Sequence, residues 1–275
     1  MRVHASTALV AAALVAALAP VAAAATLIGT DGPDQLRGGE DADQIYAEGG
    51  DDRVSGGGGS DYLEAGSGDD YVDGGPGADL LIGSTGNDQL VGGAGPDVIY
   101  AGAGDDLLLG GQGEDTLFGQ ADDDRIFGGA GQDRIYASLG TDFVDGGSGA
   151  DWISVGAGSA TVTGGGGDDW IAATGGSFHI RGGAGDDRIR TGSGPDRVDG
   201  GPGRDLIATG AGDDVVDARD GERDRVRCGP GKDTVEADQF DELVGCEAVT
   251  RATWLRRPRA SRDRYQSSSA RASRS

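Results

Sequence analysis

From Asp34 to Val216 the chain repeats one nine-residue pattern without a break. Stepping by nine from Asp34 to Asp214 visits 21 positions, and 19 are Asp; Ala160 and Phe178 are the exceptions. Two residues after each of these positions stands Leu, Ile or Val, in all 21 cases. Two residues before stands Gly in 19, with Asp41 and Asp122 departing. The unit is x-x-x-G-x-D-x-U-x, with U aliphatic. Its last triplet places one apolar side chain between two outward neighbours, as a short half-buried strand does. Its glycine-rich remainder tolerates the positive φ of tight turns. Each repeat therefore predicts a turn and a short strand, and two repeats predict one flattened coil with a thin aliphatic core.

An 18-residue superperiod supports the two-repeat coil. Gly pairs open every second repeat, at 38–39, 56–57, 74–75 and onward to 200–201. The interleaved repeats open instead with residues such as Ala47, Ala101 or Thr191. The two edges are thus expected to differ. One coil alone cannot offset the roughly 1–2 kcal/mol per residue of lost backbone entropy. Stability must come from stacking coils into an all-β array of parallel strands.

Composition sharpens this picture. The chain has 275 residues, of which 55 are Gly and 5% aromatic, with a net charge of −24. Low hydrophobicity with high charge is the signature of disorder, yet disorder does not hold one phase for 180 residues. Residues 26–250 carry 46 acidic and 14 basic side chains, a net charge of −32. Stacking would set like charges about 4.8 Å apart. A hard cation that accepts six to eight oxygens in flexible geometry, Ca²⁺ above all, removes that repulsion.

The segments GGPGADLLI at 74–82, GGAGPDVIY at 92–100 and GGAGDDRIR at 182–190 resemble the RTX (hemolysin-type) calcium-binding nonapeptide GGxGxDxUx. The resemblance covers about 190 residues and implies a parallel β-roll, a right-handed β-solenoid of nonapeptide repeats, two to a coil. It also implies that Asp residues one coil apart hold an ion between them. Carried over, the metal ligands on the Gly-Gly edge are Asp43, Asp61, Asp79, Asp97, Asp115, Asp133, Asp151, Asp169, Asp187 and Asp205. On the other edge they are Asp34, Asp52, Asp70, Asp88, Asp106, Asp124, Asp142, Asp196 and Asp214. Pairing neighbours gives nine levels on the first edge and seven on the second, up to about 16 Ca²⁺. Twelve coils are expected.

After Asp214 the phase slips by one residue to Asp224 and resumes at Asp233. Cys228 and Cys246 stand 18 apart, the same place in adjacent coils, where Cα atoms come near the separation a disulfide needs. A clasp on the last coil is the expectation; two independent thiols or a metal site are the other readings. The segment CGPGKDTVEADQFDELVGCE resembles a C-terminal feature of secreted actinobacterial proteins with this repeat. Residues 1–25 read as a secretory signal peptide, with Arg2, an Ala/Leu/Val run and Ala23 and Ala25 at a small-x-small cleavage site. The mature chain is expected outside the cell. Residues 251–275 carry eight Arg against one Asp and read as a disordered basic tail. No other stretch reads as a transmembrane segment.

Outward positions on one set of strands are apolar or aromatic, from Tyr46 and Tyr62 to Trp152 and Trp170. Trp152, Trp170 and Phe178 form the candidate partner surface, with a cell-wall or other extracellular glycan as the candidate partner. Stacked aromatics that merely shield the sheet are the alternative. His179 reads as an outward polar residue. Nucleic acid is excluded as a partner, because a −32 body repels phosphate. The leading function is a secreted calcium-binding protein, not an enzyme, whose folding is coupled to the ion. The alternative is a calcium-dependent polysaccharide lyase or epimerase on a parallel β-helix, using Arg125, Arg134, Asp122 and Asp123. No H-E-x-x-H metalloprotease motif occurs.

Overall fold

The computed structural model describes residues 24–251. The signal-peptide expectation for 1–25 and the basic tail at 251–275 lie almost wholly outside these residues. Every regular element described is a β-strand, and the 24 strands pair in parallel, mostly with the strand two places on and, around the two 15-residue strands, with the next one. Two stacks result, one from each side of a flattened coil. Leu63 stands beside Leu81 and Leu81 beside Ile99, a register of 18 residues that is held through most of the molecule. The same register joins Val72 to Leu90 and Leu90 to Leu108 on the opposite side.

The reason lies in the triplet. In Tyr62–Ser67 the aliphatic Leu63 is fully buried, and its neighbours Tyr62 and Glu64 are partly exposed. The aliphatic of nearly every repeat is fully buried, forming two facing rows along the axis. Backbone amides close the gaps between coils; Leu80 N donates to Asp61 O at 2.8 Å and Val98 N to Asp79 O at 2.8 Å. The turns need glycine where coils approach closely. Gly93 has φ +113, and a Cβ there would overlap the Gly75 carbonyl of the preceding coil. Asp122, a departure from the Gly rule, takes the same left-handed backbone with φ 73.

The solenoid has about 13 coils rather than 12. The additional one is opened by Thr26–Thr30, which pairs with Gln44–Glu48. Thirteen levels at about 4.8 Å make a rod of roughly 60 Å. The one-residue slip appears as a register of 19 between Leu206 and Arg225 and between Val215 and Thr234. At that end Cys228 and Cys246 form a disulfide with Cα atoms 5.1 Å apart, so the clasp is present and the free-thiol and metal readings fall.

One stretch departs from the turn-and-strand pattern. Trp152–Gly166 and Trp170–Ala184 each run 15 residues, crossing from one face to the other without a turn. Their pairing continues through the edge, with Ala160 beside Phe178. These are the two positions where Asp is missing. Ala160 and Phe178 are both buried, a small and a large apolar side chain stacked where carboxylates stand elsewhere.

Candidate metal centre

The repeat Asp follows a turn and precedes the strand, so its side chain points back into the turn. Its backbone amide donates to Oδ1 of the Asp one coil further on. Asp79 N donates to Asp97 Oδ1 at 2.8 Å, Asp97 N to Asp115 Oδ1 at 2.9 Å, and Asp115 N to Asp133 Oδ1 at 2.9 Å. The other edge does the same; Asp70 N reaches Asp88 Oδ1 at 2.9 Å and Asp88 N reaches Asp106 Oδ1 at 2.7 Å. Two ladders of carboxylates therefore run inside the two edges, almost entirely withdrawn from solvent.

Each ladder leaves one oxygen without a partner. Among the described residues, 19 buried Asp side chains have an Oδ2 that makes no hydrogen bond. A buried polar atom in that state costs about 1–3 kcal/mol, and more when charged. Each such oxygen sits in a cradle of backbone. A Cβ built on Gly110 would lie 2.5 Å from both Asp115 Oδ2 and the Gly128 carbonyl oxygen of the next coil. Gly128 and Gly146 repeat this, with Asp133 Oδ2 and Gly146 O, then Asp151 Oδ2 and Gly164 O. Glycine is required here because the space of a side chain is taken by converging oxygens. Among the described residues no three His, Cys, Asp or Glu side chains converge. A cation in this edge must take most of its ligands from carbonyls, a donor set of the all-oxygen kind that Ca²⁺ accepts.

Burial pushes these carboxyls above their usual range. Asp88, Asp97, Asp169 and Asp205 rise to about 7 and Asp124 to about 8. Loss of hydration is the main cause; the amide from the preceding coil opposes it, and neighbouring carboxylates add to it. The interior of the edges thus resists negative charge in the absence of a cation.

The expected ligands do not all sit alike. Asp52 to Asp142 on one edge and Asp61 to Asp205 on the other share the geometry above, as do Asp196 and Asp214. Asp34 and Asp43, at the N-terminal end, have no such open oxygen. Asp34 Oδ2 accepts from Thr30 N at 2.6 Å, and Asp43 accepts from Ala25 N and Gly39 N at 2.6 Å each. At the other end the ladder extends beyond the expected set. Asp205 N donates to Asp224 Oδ1 at 2.8 Å and Asp214 N to Asp233 Oδ1 at 3.0 Å. Asp224 and Asp233 also leave Oδ2 unpaired. The slip in phase moved them off the nine-residue count but not out of the stack.

A second, exposed ladder was not foreseen. Asn87 N donates to Asp69 Oδ1, Asp105 N to Asn87 Oδ1, and Asp123 N to Asp105 Oδ1 at 2.8–3.1 Å. It runs in the opposite sense to the inner ladder. The Asp-Asp doublets at 51–52, 69–70, 105–106 and 123–124 are its sequence signal.

Phe178 must be withdrawn from the candidate partner surface, because it is only 3% exposed. It occupies a ladder position, and that position points inward whatever residue fills it. Trp152 and Trp170 are on the outside, stacked at 4.9 Å with planes 4° apart. His179 is half-buried on the other face, beside Thr161 and Arg197. Arg125 pairs with the strands holding Leu107 and Phe143, and Arg134 with those holding Thr116 and Trp152. These lie on opposite faces, while Asp122 and Asp123 are in a turn, so the residues considered for a lyase or epimerase are not gathered. Among the described residues no helix is long and apolar enough to cross a membrane.

Nine overlapping windows that together span residues 24–216 match the family described as RTX calcium-binding nonapeptide repeat (4 copies). The chain belongs to that family. It is a calcium-binding β-roll protein with a disulfide at the end of the roll. No curated protein matches the chain.

Proposed function

We propose that this is a secreted protein that folds when it meets extracellular calcium and serves there as a structural or interaction rod. The observation that carries the reading is the set of 19 buried, unpaired Asp Oδ2 atoms. Bound calcium would supply the positive charge those oxygens lack, so ion binding and coil formation share one free energy. The ligands are the ladder carboxylates named above, with Asp224 and Asp233 added, together with turn carbonyls. The count is about 16 ions by the pairing rule, with one further level on each edge at Asp205–Asp224 and Asp214–Asp233. At the roughly 10⁻⁴–10⁻³ M affinities of extracellular modules, the chain stays unfolded inside the cell and condenses outside it. The reading of residues 1–25 as a signal peptide and the disulfide agree with export, since disulfides persist in oxidising compartments. The interaction role falls to the outward aromatics Trp152 and Trp170, with an extracellular glycan as partner.

Far-UV circular dichroism during a calcium titration tests the coupling. Strand signal should rise sigmoidally with calcium and vanish on chelation. A full strand signal in excess chelator at neutral pH would end the proposal.

A further inference from the structure

The outward residues of one face change character along the rod. Each strand of that face offers two, flanking the buried aliphatic. From Leu80 to Arg227 they run through nine successive coils, and none is Asp or Glu. In a body with 46 acidic side chains, an acid-free strip of this length is a marked charge asymmetry. Glu64 precedes it and Glu242 ends it. The opposite face at the same levels mixes signs, with Asp145, Thr163, Arg181 and Asp199 following one another in one column.

Within the strip the aromatics form one continuous row. Tyr100, Phe118 and Tyr136 stack at 4.6 and 4.8 Å, Tyr136 meets Trp152 at 4.9 Å, and Trp152 stacks on Trp170. The row shifts from one column of the strand to the other at Trp152. The second outward positions of these two strands hold only the small residues Ser154 and Ala172. The next strand carries Arg188 and Arg190, both exposed, on the two columns. Arg134 lies beside Trp152 at the other end. Among the described residues Arg134, Arg188, Arg190 and Arg227 make no ion pair, whereas Arg225 is held by Glu242 at 3.0 Å. Past Trp170 the strip borders an open groove of about 330 Å³ in which Arg188 and Arg225 face Asp186, Asp205 and Glu242, so the uncompensated positive charge lies on the strip and not in the groove.

We propose that this strip is a docking surface for a linear anionic polysaccharide. The inference rests on the calcium-folded rod proposed above, and it adds the chemistry of the partner. The two indoles cover each other's facing surfaces, so sugar rings lie along their outward edges and on the outer face of Trp170, apolar surface with a polar N–H at its rim. Carboxylates or sulfates along the polymer are taken by Arg188, Arg190 and Arg134, whose planar guanidinium forks match such groups. Two outward positions on a strand are roughly 7 Å apart, so the strip is the width of a single extended chain. It is bordered along one edge by a row of acidic turns, with Asp168 and Asp186 in adjacent coils, which would repel a broad anionic surface such as a bilayer. With about 16 Ca²⁺ in the ladders the −32 of the metal-free body is largely cancelled, and a narrow polymer aligned with the rod avoids the acidic turns.

The test uses the full chain in excess calcium, with strand content checked by circular dichroism before each binding run. Hyaluronan is the anionic probe, dextran the neutral one, and phosphatidylglycerol vesicles the membrane probe. Hyaluronan should bind, with affinity falling as salt is raised, and dextran should bind far more weakly. Arg188→Glu with Arg190→Glu should weaken hyaluronan binding about tenfold or more, and Trp170→Ala should weaken it in a protein that still folds with calcium. Equal binding of dextran, an unchanged affinity in the double Glu variant, or binding of vesicles but not hyaluronan would overturn the proposal. Loss of strand signal in the wild-type chain with calcium present would instead refute the folding scheme, so the two failures are distinct.

Discussion

Replacing Asp115 separates the two tasks of a ladder carboxylate. Its Oδ1 accepts the Asp97 amide at 2.9 Å, and its Oδ2 is one of the unpaired oxygens. Asp115→Asn keeps a carbonyl oxygen for that amide and removes only the charge. Burial pushes Asp115 up to about 6 from 3.8. At about 1.4 kcal/mol for each pH unit, relief of that charge stabilises a metal-free coil by up to about 3 kcal/mol. With calcium the sign reverses. A site filled at a hundred times its Kd contributes about 2.7 kcal/mol, and Asp115 faces two levels, so up to about 5 kcal/mol is at risk. Asp115→Ala additionally strands the buried Asp97 amide, about 1–3 kcal/mol whether or not calcium is present. The assay is urea unfolding in saturating calcium, paired with refolding in chelator driven by an excluded osmolyte, which favours compact states. Asn should be weaker than wild type with calcium and should need less osmolyte without it, and Ala should fall below Asn in both. Asn less stable than wild type by the same amount in both media would refute a metal role for the ladder.

Acidity should act in opposite directions on the two forms. The ladder carboxyls rise on folding, for instance Asp88 to about 7 and Asp124 to about 8, so the metal-free coil binds protons more tightly than the unfolded chain. Its stability is fully present below about pH 4 and is lost as pH rises through about 6–8. Strand signal in chelator should therefore grow on acidification from pH 8, while the calcium midpoint moves to higher concentration; circular dichroism at a series of pH values reads both. Phe178→Ala should cost about 3–5 kcal/mol as a core cavity, with the same loss at all saturating calcium concentrations, because no carboxylate stands at that level; urea midpoints decide it. Opening Cys228–Cys246 with paired Ser substitutions frees a loop of 18 residues, worth about 3 kcal/mol. Hydrogen exchange should then rise in 217–251 first and leave the central coils unchanged.

The repeat made most of this legible. A strict register of nine fixes strand direction, coil size and the buried row at once, because a slip of one residue would turn every aliphatic outward. The ladder Asp residues and the slip after Asp214 were readable for the same reason. What escaped was local. Phe178 looked like surface because it is aromatic and near two Trp, yet it fills a position whose direction the backbone had already set. Asp34 and Asp43 keep the spacing, but Thr30 N and Gly39 N donate to their Oδ2 atoms, a local difference in hydrogen bonding that the spacing does not show. Asp224 and Asp233 broke the spacing but kept their place in the stack, since coil length can change by one residue while the strands stay paired. The strands run unbroken through 156–160 and 174–178, where the ladder Asp is replaced by Ala160 and Phe178, and the neighbouring strand Gly140–Ser148 continues through Asp142 beside them, which spacing alone does not convey.

The account stands most directly on where the metal lies. Anomalous diffraction from crystals grown in calcium would locate every ion. Peaks should line both edges between successive ladder Asp residues, reach the levels of Asp224 and Asp233, and be missing on the second edge where Ala160 and Phe178 interrupt it. Peaks inside that interruption, or intact coils with no peaks beside the buried Asp Oδ2 atoms, would contradict it.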